Sequence, residues 1–197
     1  AIRQQTSRRG RQGQRDIGAG TGQDRPYGRN PYTGYDDVDS PPFLLQDREA
    51  DGRLAPKERV VSIQAGTMLV AVPFAALSRR LVVDADVGSL PATVWWTAGT
   101  ASALDAGTIS QGRDTGSVVA YDRRLAGREL SFAPATDGRA RDDQTGSVWG
   151  RDGVAIDGPL AGRRLRPVVH DAPFWFALAA FRPGAGIVTG SAPGDDG

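Results

Sequence analysis

The chain has 197 residues, enough for one domain with a core of its own. It contains no cysteine, which excludes disulfides, thiolate chemistry, iron–sulfur clusters and cysteine-ligated zinc. Its 24 basic and 23 acidic residues give a net charge of only +1, and every basic residue except Lys57 is an arginine. No stretch approaches the roughly 18 apolar residues that a membrane-spanning helix needs.

The first 42 residues are predicted to form an extended arm and linker. Residues 1–30 hold many Gly and Gln, few apolar groups, and seven arginines against two aspartates. Because such a segment buries too little apolar surface to offset its ordering entropy, we expect disorder in isolation and order on a partner subunit. The candidate partner-binding residues are Arg3, Arg8, Arg9, Arg11, Arg15, Arg25, Arg29, Tyr32 and Tyr35.

Three aspartates follow the arginine-rich segment, at Asp36, Asp37 and Asp39. Closely spaced carboxylates can ligate calcium. The segment lacks the Gly and the distal Glu of an EF-hand loop, and Asp is common in turns because its side chain bonds the nearby backbone. We therefore expect a hydrogen-bonded turn here, with no metal and no other cofactor.

Residues 43–183 are predicted to form a β-rich domain of short strands separated by turn residues. Gly127 marks the tip of one expected hairpin, and Gly150 and Gly153 mark the turn of a second. The expected strands, in chain order, are 60–63, 68–72, 81–83, 92–97, 117–121, 128–132, 147–149, 154–156 and 165–170.

Short helices are expected at 74–80, 101–110 and 174–181, the first and last beginning after a proline. Hairpins dominate and the spacing of βαβ units is absent. The predicted fold class is therefore mainly β (β-rich α+β): antiparallel hairpins in a barrel- or sandwich-like body with two or three short helices. Residues 184–197 are predicted to be a flexible, Gly-rich C-terminal tail.

His170 is the single histidine and is followed by Asp171. It could act as a general base oriented by an acid, which makes His170 and Asp171 weak catalytic candidates. The favoured interpretation is structural, with the ring satisfied by a backbone carbonyl, because spacing identifies no reacting partner. No Gly-x-Ser-x-Gly elbow and no phosphate-binding Gly-x-x-x-x-Gly-Lys loop occurs.

Trp95 and Trp96 are neighbours in the strand expected at 92–97, so their side chains should point to opposite faces. One should lie in the core. The other is expected to be exposed or to cover an interface, where aromatic residues are common, with core packing as an equally weighted alternative.

Several runs resemble one family: Val94-Trp-Trp-Thr-Ala-Gly-Thr100, Tyr121-Asp-Arg123, Gln144-Thr-Gly-Ser-Val-Trp149 and Gly158-Pro-Leu-Ala-Gly162. Over roughly residues 34–183 the chain resembles domain of unknown function 3179, a bacterial and archaeal family. Many members carry a Cys-Pro-Leu-Cys-Gly-Thr run in the region of 94–100, and members often have a His or an acid near position 170. The cysteine pair of those members suggests metal or redox work, which does not transfer to a chain without cysteine.

The function expected from the sequence is that of an extracytoplasmic structural or accessory subunit, periplasmic or at the cell surface, which docks on other subunits through residues 1–42. Ala1 in place of an initiator Met is consistent with a removed export signal. An anionic lipid surface is a second target that would suit the arginines.

The alternative functions are nucleic-acid binding by the arm and a small enzyme that uses His170. Residues 1–30 carry a net charge of +5, and the whole chain carries +1, so the remaining residues carry −4. Because a negatively charged body repels phosphates, nucleic acid is an unfavoured partner.

Overall fold

The computed structural model describes residues 51–102 and 113–190, together with Tyr35, Asp37, Val38 and Leu104. This part contains thirteen strands and two α-helices. In chain order they are β1 (Val60–Ala65), β2 (Met68–Pro73), α1 (Phe74–Arg80), β3 (Val82–Val87), β4 (Leu90–Thr97), β5 (Ser117–Asp122), β6 (Arg124–Leu125), β7 (Arg128–Glu129), β8 (Phe132–Pro134), β9 (Ala140–Asp142), β10 (Val148–Trp149), β11 (Ala155–Asp157), β12 (Arg166–Pro167), α2 (Trp175–Phe181) and β13 (Gly186–Ile187).

The strands form three packed sheets and a small ribbon. Their orders are β1-β2-β13, β12-β5-β4-β3 and β11-β10-β9-β8, and the ribbon pairs β6 with β7. Every pair is antiparallel except β13 with β2, which is parallel. The sheets do not close into a barrel within the described residues. The predicted fold class is confirmed as a β-rich, sandwich-like body.

Three apolar clusters hold these sheets together. The first joins the sheet of β1 and β2 to that of β3 and β4, and it includes Ile63, Val72 and Val94. These strands are short runs of β-branched residues buried along most of their length, as expected for strands covered on both faces. The third cluster seats Trp175 of α2 against β1 and β2.

The second cluster is aromatic. Phe132 lies between two tryptophans, with ring centroids 5.3 Å from Trp95 and 5.9 Å from Trp149. Tyr121 packs on the other side of Trp95, at 5.0 Å. These offset and edge-on arrangements are the favoured geometries of aromatic pairs, so the cluster fixes how β4, β5, β8 and β10 meet.

Both described helices follow the rules from which they were predicted. Pro73 precedes α1 in an extended conformation, and Leu81 ends the helix with φ +64° while its N–H donates to the carbonyl of Leu77 at 2.7 Å. Phe174 precedes α2, and Arg182 follows its last turn before Pro183. Neither helix has the length and apolar character needed to cross a membrane.

The structure differs from the expected strands in several places, among them β9, which was not expected, and β3, which continues to Val87. The hairpin predicted from 117–121 and 128–132 is wrong, because β5 pairs with β4 and β12, and only the short ribbon β6-β7 turns at Gly127. The strand expected at 165–170 shortens to β12.

The sheet of β1 and β2 also includes residues beyond 183, the position after which the tail was expected to begin. Ala185 is buried, and β13 adds to the edge of β2. The backbone of β2 offers hydrogen-bonding groups there that a Gly-rich segment reaches without steric conflict. Residues 191–197 and most of the helix expected at 101–110 lie outside the described residues.

Candidate binding site

A cavity of about 190 Å³ lies where β4 ends and α1 begins. Apolar walls come from both elements and from the described part of the linker, and charged side chains surround them. The lining residues used below are Val38, Lys57, Glu58, Arg59, Phe74, Ala75, Trp96, Arg113 and Asp114. The cavity therefore combines a flat apolar lining with three cationic and two anionic groups.

Trp96 reaches the cavity because of strand alternation. Trp95 is 2 % exposed and belongs to the aromatic core, so its neighbour faces the other side of the sheet. The Trp96 indole is half-buried, and its Nε1 donates to the carbonyl of Thr115 at 3.2 Å. The prediction that the two tryptophans serve opposite faces is confirmed, and Trp96 is the one left with an open side.

Asp114 fixes the chain segment that leaves β4. Its carboxylate accepts the backbone N–H groups of Gly99 at 2.8 Å, Gly116 at 2.8 Å and Thr100 at 2.9 Å. These hydrogen bonds hold the pKa of Asp114 below its ordinary value, because they favour the ionised carboxylate. The Asp114 carboxylate therefore holds the backbone of Gly99 and Thr100 in place, in a segment where many members of the resembling family carry cysteines.

Glu58 and Arg59 line the cavity from the chain just before β1. Glu58 Oε1 accepts the N–H of Ala75 at 2.9 Å. The Arg59 guanidinium lies 5.4 Å from the ring centroid of Phe74. Arg59 also holds the backbone in place, since its carbonyl accepts the N–H of Phe74 at 2.9 Å.

Tyr35 contacts its own chain at the edge of this cavity. The Lys57 ammonium lies 4.5 Å from the Tyr35 ring centroid, and Lys57 is 3 % exposed. The Tyr35 ring also packs edge-on against Phe174 at 6.1 Å, and its N–H donates to the carbonyl of Leu104 at 3.2 Å. Tyr35 thus anchors the linker to the body, and its role in partner binding stays a prediction.

The other candidate partner-binding residues lie outside the described residues. They are Arg3, Arg8, Arg9, Arg11, Arg15, Arg25, Arg29 and Tyr32. Of the three clustered aspartates only Asp37 is described, and it is exposed.

The two weak catalytic candidates are adjacent in sequence, and each forms hydrogen bonds with backbone groups. His170 Nδ1 donates to the carbonyl of Val168 at 2.9 Å, the structural role favoured from the sequence. Asp171 has an exposed side chain, and its backbone exchanges two hydrogen bonds with Ser62, at 2.9 and 3.1 Å. Among the described residues, no hydrogen bond or ion pair joins Asp171 to the His170 imidazole, and both lie outside the lining of the cavity.

A second, larger groove of about 930 Å³ runs along β3 and β8. Asp84 lines it; its Oδ2 accepts the N–H of Phe132 at 3.0 Å, and its buried Oδ1 has no hydrogen-bond partner in the described part of the chain. Burial raises the pKa of Asp84, and the hydrogen bond from Phe132 and the nearby Arg123 oppose this only in part. Arg123 itself is buried and pairs mainly with Asp86 at 2.6 Å and Glu129 at 3.1 Å.

Asp122 has the opposite environment. Burial alone would raise its pKa, but hydrogen bonds from Arg124 at 2.9 Å and Arg166 at 2.5 Å outweigh burial and hold the pKa well below its usual range. The Tyr121 hydroxyl, in turn, donates to the carbonyl of Arg151 at 2.6 Å. The Tyr121-Asp-Arg123 run therefore ties β5 to its neighbours.

Metal-ligating groups are not assembled in the described residues: no cluster of three or more His, Asp or Glu side chains occurs there. Sequence reasoning missed Arg59, Asp114 and Asp84 as members of cavities. Their sequence neighbours give no signal, because each enters its site through a pairing between distant segments. Trp96 alone was identifiable, from its position beside a second tryptophan in a strand.

The comparisons with known proteins give one positive result. A family model described as "Protein of unknown function (DUF3179)" matches residues 17–185. No curated protein matches the chain, and no solved structure does. The family match covers every element from β1 to α2 and the cavity at the end of β4. The chain therefore belongs to the DUF3179 family, as a member without cysteine.

Proposed function

We propose that this protein is an extracytoplasmic structural or accessory subunit of a larger protein assembly, and that residues 1–34 dock it on its partner. The separation of charge and core along the chain carries the proposal. Seven arginines and few apolar residues fall within the first thirty residues, which leaves the rest of the chain at −4, and the three apolar clusters of the described residues are built from the body. A cationic segment of this kind suits a carboxylate-rich partner surface.

The use of ionisable side chains in the body supports a role without catalysis. Asp122, Arg123 and Asp142 each hold two or more structural hydrogen bonds. His170 is oriented by a backbone carbonyl and is not paired with Asp171. These contacts stabilise a rigid body, which is what an accessory subunit has to present.

The linker contacts refine where the docking segment ends. Tyr35 and Val38 are half-buried on the body, which supports ending the proposed docking segment before residue 35 rather than at 42. An assembly test should therefore leave Tyr35 in place.

The experiment neutralises the docking segment without shortening it. All seven arginines of residues 1–30 are changed to Gln, and a control variant carries Arg128→Gln, Arg139→Gln and Arg163→Gln at exposed body positions. Particle mass is measured by light scattering on tagged protein purified from its source cells. We expect the control to remain in the assembly and the seven-fold variant to elute as a free subunit with unchanged thermal unfolding.

An assembly that survives the seven-fold change contradicts the proposal. Dissociation by nuclease, or recovery only with anionic vesicles, would instead assign the arginines to nucleic acid or to lipid. Cell fractionation tests the compartment: we expect the protein in the periplasmic or surface fraction, and recovery with the cytoplasm would refute that part.

A further inference from the structure

Arg59 is half-buried and lines the cavity at the end of β4. Among the described residues, its guanidinium forms no hydrogen bond or ion pair and lies over the ring of Phe74. Other arginines of the body, such as Arg53 and Arg123, donate to carboxylates and carbonyls. A guanidinium has five N–H donors, and partly buried donors normally find acceptors.

The carboxylates that share the cavity do not fill this role. Glu58 Oε1 is occupied by the N–H of Ala75, and the Asp114 carboxylate is occupied by three backbone N–H groups. Neither forms an ion pair with Arg59 in the described part of the chain. The five charged side chains of the lining sum to +1, and the Arg59 guanidinium pairs with no carboxylate among the described residues, so an anion suits the site.

Shape narrows the choice of anion. The ring of Phe74 and the open side of the Trp96 indole supply flat apolar walls, together with Val38 and Ala75. A volume of about 190 Å³ is the space of roughly six water molecules, enough for a single small ring or a short chain. A guanidinium pairs best with a planar carboxylate, through two parallel hydrogen bonds.

We propose that this cavity is a binding site for a small monocarboxylate with a flat apolar body, of which benzoate is the simplest probe. The carboxylate receives two hydrogen bonds from Arg59, and the ring lies between Phe74 and Trp96. This site is independent of the docking segment, because its main walls belong to β4, α1 and the chain before β1.

The test follows the indole N–H resonances of ¹⁵N-labelled full-length protein during titration with benzoate. The chain has four tryptophans, and Trp96→Phe identifies the resonance of interest. We expect a saturable shift of the Trp96 signal, with the Trp95, Trp149 and Trp175 signals nearly unchanged. Benzamide, which has the same shape without the charge, should bind at least about tenfold more weakly.

Variants assign the effect to the guanidinium. Arg59→Gln should weaken benzoate binding at least about tenfold, and Arg59→Lys, which keeps the charge but loses the planar fork, should weaken it less. Arg163→Gln, at an exposed position away from the cavity, should leave it unchanged. The three unperturbed indole signals report that each variant is folded.

Four results would overturn the proposal: no saturable shift with benzoate in the millimolar range, equal binding of benzamide, tighter binding of inorganic phosphate than of benzoate, or benzoate binding that is unaffected by Arg59→Gln.

Discussion

Asp142 is the fully buried acceptor of a hydrogen-bond network beside the aromatic core. Its Oδ1 accepts the N–H of Thr145 at 2.6 Å, and its Oδ2 accepts the Trp149 indole N–H and the Thr145 hydroxyl, both at 2.9 Å. Ser147 continues the network, with its hydroxyl 2.7 Å from that of Thr145. The Gln144–Trp149 run, one of those that resemble the family, thus has a structural role.

Asp142→Asn is predicted to lower the free energy of unfolding by about 1–3 kcal/mol. Both carboxylate oxygens face N–H donors, so the asparagine NH₂ would meet a donor in either orientation. Urea unfolding at pH 7 measures the loss. Asp157→Asn, at an exposed position of β11, is the control and should change stability little; equal effects of the two substitutions would refute the network's role.

Asp122 is predicted to make the protein less stable in acid. Because its folded-state pKa lies below the unfolded value of about 3.9, its contribution is complete above that value and is lost as the pH falls through the folded pKa. Asp122→Asn should therefore cost about 1 kcal/mol at pH 7, since Arg124 and Arg166 are largely exposed. Urea unfolding should show that the gap to the wild type narrows from pH 5 to pH 3.

Asp84→Asn is the matched control, because the pKa of Asp84 is shifted in the opposite direction to that of Asp122. Burial raises the pKa of Asp84, so its contribution to stability is complete below the unfolded pKa and is lost as the pH rises through the folded one. Asn keeps an acceptor for the Phe132 N–H, and this variant should be at least as stable as the wild type at pH 7. A pH-independent gap for Asp122→Asn, or a large loss for Asp84→Asn, would contradict these assignments.

At the scale of elements, the sequence was sufficient to predict helices and hairpins, whose hydrogen bonds join residues that are close in sequence. The prolines before α1 and α2 and the turn between β1 and β2 predicted those elements to within a few residues. The hairpin β10-β11 was found in the same way, from its Gly-flanked turn. Each of these depends on neighbours within about a dozen positions.

The pairing of strands that are distant in sequence could not be predicted from the sequence. β5 could be recognised as a strand, but its partners β4 and β12 are chosen by the faces of Trp95 and Tyr121 and by the Asp122 hydrogen bonds, which only the folded chain brings together. The same holds for the cavity. Trp96 could be assigned an open face, whereas Arg59 and Asp114 reach that face through separate segments and carry no mark in the sequence.

Gly116→Ala is predicted to disturb the end of β4. Gly116 has φ +67°, and a Cβ there would overlap the indole of Trp96. Gly127→Ala is the matched control, because Gly127 has φ +76° and nothing within 4 Å of its Cβ position, so both variants share the backbone strain. Gly116→Ala should cost about 1–3 kcal/mol more in urea unfolding. Equal losses would contradict the tight packing of Trp96.

At the scale of the whole molecule, composition and turn spacing predicted the β-rich body, and the separate character of the N-terminal segment stays a prediction. The boundary between them needed the structure, since Tyr35 and Val38 contact the body inside the stretch expected to be arm and linker. The C-terminal boundary shifted too, because β13 joins the first sheet. In both cases a short polar segment is held by a neighbour that lies far away in sequence.

Deletion of residues 1–34 tests the account most directly. The truncated protein keeps Tyr35, all three apolar clusters and the cavity, so its thermal unfolding should match that of the full chain. Sedimentation velocity of each protein, purified with its partners from source cells, should show the full chain in a large particle and the truncated chain as a monomer. A truncated chain that sediments in the same large particle would contradict the central claim.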